Sequence, residues 1–320
     1  MRRIGLLTSG GDTPGMNAAI QAVVRTAKCN GIQIMGVTKG YAGLIEGRLA
    51  EMRSKEVMNI NNKGGTILKT ARCEEMRTPE GQEKALKVLK AFGCEGLVVI
   101  GGDGSFKGAR TLSHMGMPTI GLPGTIDNDL AYTDYTIGFD TAINCVAEEI
   151  AKIRDTMESH ERVGVIEVMG NKCGDIALHA GIAGDAEYII VPEMPFDVDQ
   201  ICDSLQNRKI KGFMTSIVVI AEGAGKGEAL ANYMRAKTGL DVKAIVLGYI
   251  QRGGVPSVFD RVIATKMGIR AVELLMEGCG GRVVGIHNNK IVDYDIDEAL
   301  AMKMKFDKKL YETHLNMMNY

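Results

Sequence analysis

Three glycine-rich segments carry acidic and hydroxyl residues at spacings suited to phosphate chemistry. Thr8-Ser9-Gly10-Gly11-Asp12 follows the short apolar run Ile4–Leu7. Glycines in such a turn let backbone N–H groups approach an anion, and a helix N-terminus just beyond adds partial positive charge. Without a ligand the same residues are a tight strand-to-helix connection. Gly101-Gly102-Asp103-Gly104-Ser105 follows Leu97–Ile100. There Asp103 can hold Mg2+, directly or through water, while the glycines admit nucleotide phosphates. The alternative is a turn with a solvated carboxylate, and a second Gly-Gly-Asp turn in the chain weakens it. Pro123-Gly124-Thr125-Ile126-Asp127-Asn128-Asp129 sets two carboxylates two residues apart after Thr119–Leu122. One can accept a proton from a sugar hydroxyl while the other orders a metal or its partner; a bare Asp-x-Asp is otherwise a polar turn. None of the five histidines (114, 160, 179, 287 and 314) lies in a glycine-rich segment, so a general base is expected to be an Asp. The chain has no G-x-x-x-x-G-K-[ST] loop, although Glu222–Glu228 superficially resembles one, and no H-R-D or D-F-G.

The elements that must position these segments alternate. A strand at Ile4–Leu7 leads to a helix with Asp12 or Thr13 as cap and Pro14 in its first turn, running through Ala19, Ile20, Val23 and Val24 until Gly31 stops it. Residues 32–38 form a strand, and Thr78-Pro79-Glu80 opens a helix that ends at Gly93. Leu97–Ile100 has the composition of a parallel strand buried on both faces. Helices are predicted over 140–158 and 257–277, and strands near 163–168, 216–221 and 242–247. This is an open α/β pattern, in which ligands sit at the carboxyl ends of strands, where the glycine-rich segments fall.

The chain has 320 residues, enough for about two domains. Glycine is the compositional outlier, at 40 residues. The formal net charge of −1 lacks the basic excess of a nucleic-acid binder, so anionic ligands must be held by local Arg and Lys, backbone N–H groups or a metal. Seven scattered cysteines (29, 73, 94, 145, 173, 202 and 279) without a C-x-x-C point to reduced cytosolic thiols. No stretch approaches the ~20 apolar residues of a membrane span. Met1-Arg2-Arg3 runs straight into the first strand, and no signal peptide is expected.

The segments LTSGGDTPGMNAAI (7–20), GGTILKTAR (64–72), VVIGGDGS (98–105), GLPGTIDND (121–129), YTIGFDTA (135–142), SHERVGVIEVMG (159–170), CGDIALHAGIAG (173–184) and LGYIQRGG (247–254) carry a nearly full-length resemblance. Together they resemble the bacterial ATP-dependent 6-phosphofructokinase family. The resemblance implies an α/β fold of two Rossmann-like lobes with mostly parallel sheets and the active site in the cleft between them. An ATP-binding lobe would cover 1–138 and 251–301, and a sugar-phosphate lobe 139–250 and 302–320. It further implies a cytoplasmic, allosteric glycolytic homotetramer that uses ATP and Mg2+ to phosphorylate fructose 6-phosphate at O1, with no nucleic-acid or membrane partner.

By position, Gly11, Arg72, Cys73, Gly102, Asp103, Gly104, Ser105 and Gly108 match the nucleotide site, with Asp103 as the metal residue. Asp127 matches the base that deprotonates the sugar 1-hydroxyl, and Thr125, Asp129, Gly11 and Arg72 complete the catalytic set. Met169, Gly170, Glu222, Lys243 and Tyr249 match the sugar site, and Arg252, with Arg162 from a neighbouring subunit, matches the 6-phosphate binders. The family usually has Arg where this chain has Asn171 and Lys243, and His where it has Tyr249. Lys keeps the charge but not the bidentate fork. At the family's effector site Arg25, Arg154, Lys211 and Glu187 are kept, whereas basic residues are replaced at Gln21, Ser54, Phe213 and Met214, and a glycine by Asp185. Two alternatives remain: a pyrophosphate-dependent or other sugar-phosphate kinase, and a catalytically weak nucleotide-binding regulatory homologue. The pyrophosphate branch usually carries Asp at the position of Gly104 and Lys at that of Gly124.

Overall fold

A computed structural model describes residues 1–304 and 306–318. In chain order the first elements are β1 (Arg3–Thr8), α1 (Met16–Cys29), β2 (Gln33–Val37), α2 (Gly40–Ile45), β3 (Leu49–Glu51), α3 (Pro79–Ala91), β4 (Gly96–Gly101), α4 (Asp103–His114) and β5 (Thr119–Pro123). Then come α5 (Phe139–Ser159), β6 (Val163–Val168), α6 (Asp175–Ala183), β7 (Tyr188–Ile190), α7 (Val198–Ile210), β8 (Ser216–Ala221), α8 (Gly227–Thr238) and β9 (Val242–Val246). The chain closes with α9 (Val258–Met276), β10 (Arg282–His287), β11 (Lys290–Asp295), α10 (Ile296–Ala301) and α11 (Lys308–Met318).

The chain divides into two compact units. The first comprises Met1–Ile126, Leu130–Thr141 and Arg252–Met304. Its sheet has the order β11-β10-β5-β4-β1-β2-β3 among the described residues, parallel except for the two edge strands, which run antiparallel. β4 and β5 are buried along their whole length, which is why they read as unbroken apolar runs. One face packs Ile4, Leu6, Ile20, Val23, Met267 and Ala271; the other packs Leu7, Val99, Leu89, Phe106 and Leu112. Helices α1 and α9 approach closely at Gly268, where an added Cβ would stand 2.7 Å from Ala22 Cβ and 3.1 Å from Ala19 O. A methyl group there would overpack the helix pair, a change that typically costs about 1–3 kcal/mol.

The start of α1 differs from the sequence expectation. Neither Asp12 nor Thr13 caps it. The helix begins at Met16, after Gly15 at φ 99°, because the Thr13 hydroxyl is already committed, donating to Ile137 O at 3.0 Å. An added Cβ on Gly15 would also meet Ile137 Cγ2 at 2.7 Å. Elsewhere the local signals hold. Thr78 Oγ1 accepts from Gly81 N at 3.1 Å, with Pro79 as the first helical residue of α3. Ser257 caps α9 through Asp260 N at 3.1 Å.

The second unit comprises Asp127–Asp129, Ala142–Gln251 and the C-terminal stretch from residue 305. Its sheet has the order β7-β8-β6-β9, all parallel. β6 and β8 are wholly buried, whereas the edge strand β9 alternates between inward and outward residues. Val163, Val165, Val218, Ile220, Leu205 and Met234 form its core. Tyr311 ties α11 to the unit by donating to Ile189 O at 3.1 Å.

Asp260 is fully buried in the first turn of α9. Its carboxylate accepts from Gly138 N and Thr141 N, both at 2.8 Å, and from Thr141 Oγ1. It thus satisfies backbone donors at the start of α5 that no intrahelical partner can reach. Burial pushes its carboxyl up to about 6, from an ordinary 3.8. With the folded value raised, the contribution of the protonated form is fully present below the unfolded pKa and is lost as pH rises through 6. Asp260→Ala is expected to lower stability by about 2–4 kcal/mol, because it strands two buried N–H groups. Urea unfolding of both proteins should show a larger penalty at pH 5 than at pH 7.5.

Candidate active site

In the first unit the loops after β1, β4 and β5 emerge side by side at the carboxyl edge. Thr8 pairs with Ile100, and Gly101 with Pro123. Ser9 N donates to Ile100 O at 2.9 Å and Gly124 N to Gly101 O at 3.0 Å. Strand order reverses direction between β1 and β4, the usual crevice for a nucleotide in such sheets. Gly10 and Gly11 are exposed there, and the Arg252 guanidinium lies 3.5 Å from where a Gly11 Cβ would stand. Residues 63–72 are laid along this loop. Asn17 donates to Lys63 O and Gly64 O and accepts from Ile67 N, and Thr70 Oγ1 donates to Gly10 O at 2.7 Å. That leaves Arg72 exposed two residues beyond the Gly10 contact and Cys73 half-buried against the second core face.

Gly102 precedes α4, and Asp103 and Gly104 form its first turn. Nothing lies within 4 Å of a Cβ built on Gly104. Asp103 is half-buried and pairs with Lys107 one turn on, at 2.6 Å. Ser105 is buried, its hydroxyl packed against Gly101 and Gly10. Gly108 has a packing reason of its own: a Cβ would strike the Tyr41 ring at 2.8 Å, and Tyr41 OH in turn donates to Ser105 O at 2.7 Å. Thr125 is half-buried beside Gly102, its carbonyl accepting from Thr136 Oγ1 at 2.6 Å. Among the described residues no cluster of three or more His, Cys, Asp or Glu could hold a metal ion. Asp103 is thus a single carboxylate at an open helix start, the kind of partial ligand set Mg2+ completes with water and nucleotide phosphates.

In the second unit, Asp127 and Asp129 are half-buried on either side of Asn128, which sits at φ 52°. Asn128 Nδ2 donates to Asp175 Oδ2 at 2.9 Å. Burial raises the Asp175 carboxyl above its ordinary range, while the Asn128 hydrogen bond opposes that shift. Met169 and Glu222 follow the carboxyl ends of β6 and β8. Met169 N donates to Gln251 Oε1 at 3.0 Å, Glu222 N to Val168 O at 2.8 Å and Asn171 N to Glu222 Oε1 at 3.0 Å. Asn171 lies at φ 55°, a backbone that Asn adopts more readily than Arg. Tyr249 is exposed just after β9.

Arg162 and Lys243 do not join this group. Arg162 precedes β6, and Lys243 pairs with Gly164 near the same amino edge. Arg162 lies seven residues before Met169 and Lys243 stands level with Gly164, five before it, roughly 23 Å and 16 Å along the strand at 3.3 Å per residue.

At the expected effector positions, Arg154 donates to Gly184 O at 3.2 Å, to Asp185 O, and to Glu187 Oε1 at 3.5 Å. Arg208, which the sequence reading missed, bonds the same Glu187 oxygen at 3.2 Å and lies over the Phe213 ring at 5.0 Å. Asp175, Asn17 and Gln251 were missed as well, because each acts through a contact that sequence spacing does not encode. If the Asp127–Asp129 loop carries the chemistry, Asp175→Ala should lower turnover with fructose 6-phosphate by up to about a hundredfold through misplacement of the loop. The Michaelis constant for ATP should stay near its original value, and steady-state kinetics of the purified variant check both.

A family model described as phosphofructokinase matches residues 3–275. The ATP-dependent 6-phosphofructokinase of Clostridium novyi (strain NT) is 57% identical over 312 residues, spanning 98% of this chain and 98% of its own. The protein of the same name from Clostridium botulinum (strain Hall) is 58% identical with the same coverage. A solved phosphofructokinase from Saccharomyces cerevisiae superposes with a TM-score of 0.94 at 33% identity, over 99% of this chain and 50% of that one. With a family model spanning most of its length and relatives this similar end to end, the chain belongs to the phosphofructokinase family.

Proposed function

We propose that this chain is an ATP-dependent 6-phosphofructokinase of glycolysis, transferring the γ-phosphoryl group of ATP to O1 of fructose 6-phosphate. Family membership supports the reaction, and the open space at Gly104 carries the choice of donor. A side chain at Gly104 would project where the nucleotide enters beside Asp103. A side chain at Gly124, where the pyrophosphate branch has Lys, would press on Ile100 Cγ2 at 2.9 Å. The Clostridium relatives, which share nearly the full length, are named as ATP-dependent enzymes.

Asp127 takes the proton from the sugar 1-hydroxyl as O1 attacks the γ-phosphorus. Asp129 and Thr125 orient that hydroxyl, and Met169, Gly170, Glu222 and Tyr249 bind the sugar. Backbone at Gly11, the turn Gly102–Ser105 with Gly108 behind it, and Arg72 with Cys73 hold the nucleotide. Asp103, together with the nucleotide phosphates, would hold Mg2+, and the ion would supply charge neutralisation at the phosphate oxygens, since phosphoryl transfer is catalysed mainly by positioning and charge compensation. Arg252 meets the 6-phosphate. Arg162 and Lys243 stand further along their sheet from Met169 and Glu222 than a hexose phosphate reaches, which supports a homo-oligomer, of homotetrameric type, in which Arg162 of the partner subunit completes the site. No described helix is long and apolar enough to cross a membrane, and a cytoplasmic location suits a glycolytic enzyme.

Initial rates with fructose 6-phosphate and either ATP or pyrophosphate test the reading; turnover with pyrophosphate alone would sink it. Asp127→Ser should lower kcat by about 10²–10⁴, the range of a positioned general base, while nucleotide binding measured by calorimetry is retained. Regulation is expected to be weak. With Arg154 and Arg208 both engaged by Glu187, and Phe213 and Met214 in place of cations, ADP and phosphoenolpyruvate should bind about a hundredfold or more weakly than at an intact site, given roughly 1.5–3 kcal/mol per charged contact. Saturation curves for fructose 6-phosphate at millimolar effector should overlay. A large shift that Arg154→Ala abolishes would overturn this expectation.

A further inference from the structure

At the amino edge of β6 and β9, a single carboxylate joins two cations. Asp241 Oδ2 accepts from Arg162 Nε at 2.6 Å, and Asp241 Oδ1 pairs with Lys243 Nζ at 2.7 Å. The backbone ties the two strand starts together next to these side chains, Val163 N donating to Asp241 O at 3.1 Å. The three side chains are 30%, 45% and 43% exposed for Arg162, Asp241 and Lys243. Ion pairs this exposed contribute little to stability, so the geometry they hold is what distinguishes the arrangement. The two cations keep the Asp241 carboxyl below its ordinary range, and it is charged at neutral pH.

Arg162 reaches Asp241 through Nε. Its paired Nη groups form the edge that matches a phosphate in bidentate fashion. Lys243 has a single ammonium on a flexible stem and cannot fork. Without an anion between them, Arg162 and Lys243 would repel and diverge. With one, they stand together with a net charge of +1, suited to a phosphate dianion.

We propose that Asp241 is a positioning residue for sugar-phosphate recognition, holding Arg162 and Lys243 together as one phosphate-binding pair. This rests on the reading that Arg162 of the partner subunit completes the 6-phosphate site, and it adds Lys243, matched to the sugar site by resemblance, as its neighbour there. Asp241 acts through those two side chains and touches no reacting atom.

The test compares Asp241→Asn, Asp241→Glu and Arg162→Ala in the full-length enzyme, with saturation curves for fructose 6-phosphate and for ATP and with thermal unfolding. Asp241→Asn should raise the Michaelis constant for fructose 6-phosphate about tenfold, the size of one charge-assisted hydrogen bond. Its kcat, its Michaelis constant for ATP and its melting temperature should stay close to the parent's. Asp241→Glu should restore most of the sugar affinity. In the Arg162→Ala background, Asp241→Asn should have a smaller effect than in the parent, since coupled residues are not additive. An unchanged or lower Michaelis constant in Asp241→Asn, with Arg162→Ala raising it, overturns the proposal; a lower one would mean that Asp241 competes with the phosphate. If Arg162→Ala itself leaves the fructose 6-phosphate curve unmoved, the phosphate-site reading beneath the proposal falls as well.

Discussion

A parallel strand buried on both faces has nothing to offer a ligand along its length. Its side chains belong to the two cores, and its backbone groups are spent in the ladder. Only the residues at and beyond its ends are available for chemistry, and those that leave its carboxyl end carry the glycine turns. In this chain β1, β4 and β5 are such strands, and so are β6 and β8. The glycine turns at 8–12 and 101–105 and the loop from 123 onward follow from that constraint. A close backbone approach is the main resource left at a strand end, and small residues permit it.

The loops themselves are held by carboxylates that accept backbone N–H groups at helix starts and strand ends. Asp260 takes the backbone donors at Gly138 and Thr141. Glu167 takes Gly227 N at 2.7 Å, at the start of α8, and Glu193 takes Gly174 N at 2.8 Å, just before α6. Glu187 takes Ile217 N at 2.7 Å while pairing with Arg154 and Arg208. A buried charge is tolerated when several donors converge on it, and helix starts supply such donors. Asp103, in the first turn of α4 and paired with Lys107, and the half-buried Asp127 and Asp129 lie in or beside the glycine-rich segments instead.

The amino edge of the second sheet shows the same economy with cations. Arg162, Lys243 and Asp241 come from neighbouring strands whose first residues are in register, Val163 with Val242. Exposed cations would otherwise adopt many rotamers, and a shared carboxylate narrows that choice. Lys at 243 makes the shared partner more important, because the ammonium lacks a planar fork of its own.

What the sequence determined by itself is local. The apolar runs at 97–100, 163–168 and 216–221 read as buried strands, Thr78-Pro79 as a helix start and the glycine turns as strand ends, and the structure has them so. Each rests on side-chain periodicity or backbone sterics within a few residues. The tertiary structure decided what depends on distant partners. Thr13 looks like a cap, but Ile137 O claims its hydroxyl, 124 residues away. Gly108 looks like a ligand contact, yet Tyr41 gives it a packing reason. Asp175 carried no signal until folding set it against Asn128. Arg162 and Met169 lie in one continuous motif, SHERVGVIEVMG, and read as parts of one site. An extended strand advances about 3.3 Å per residue, so the six residues of β6 carry them to opposite edges of the sheet.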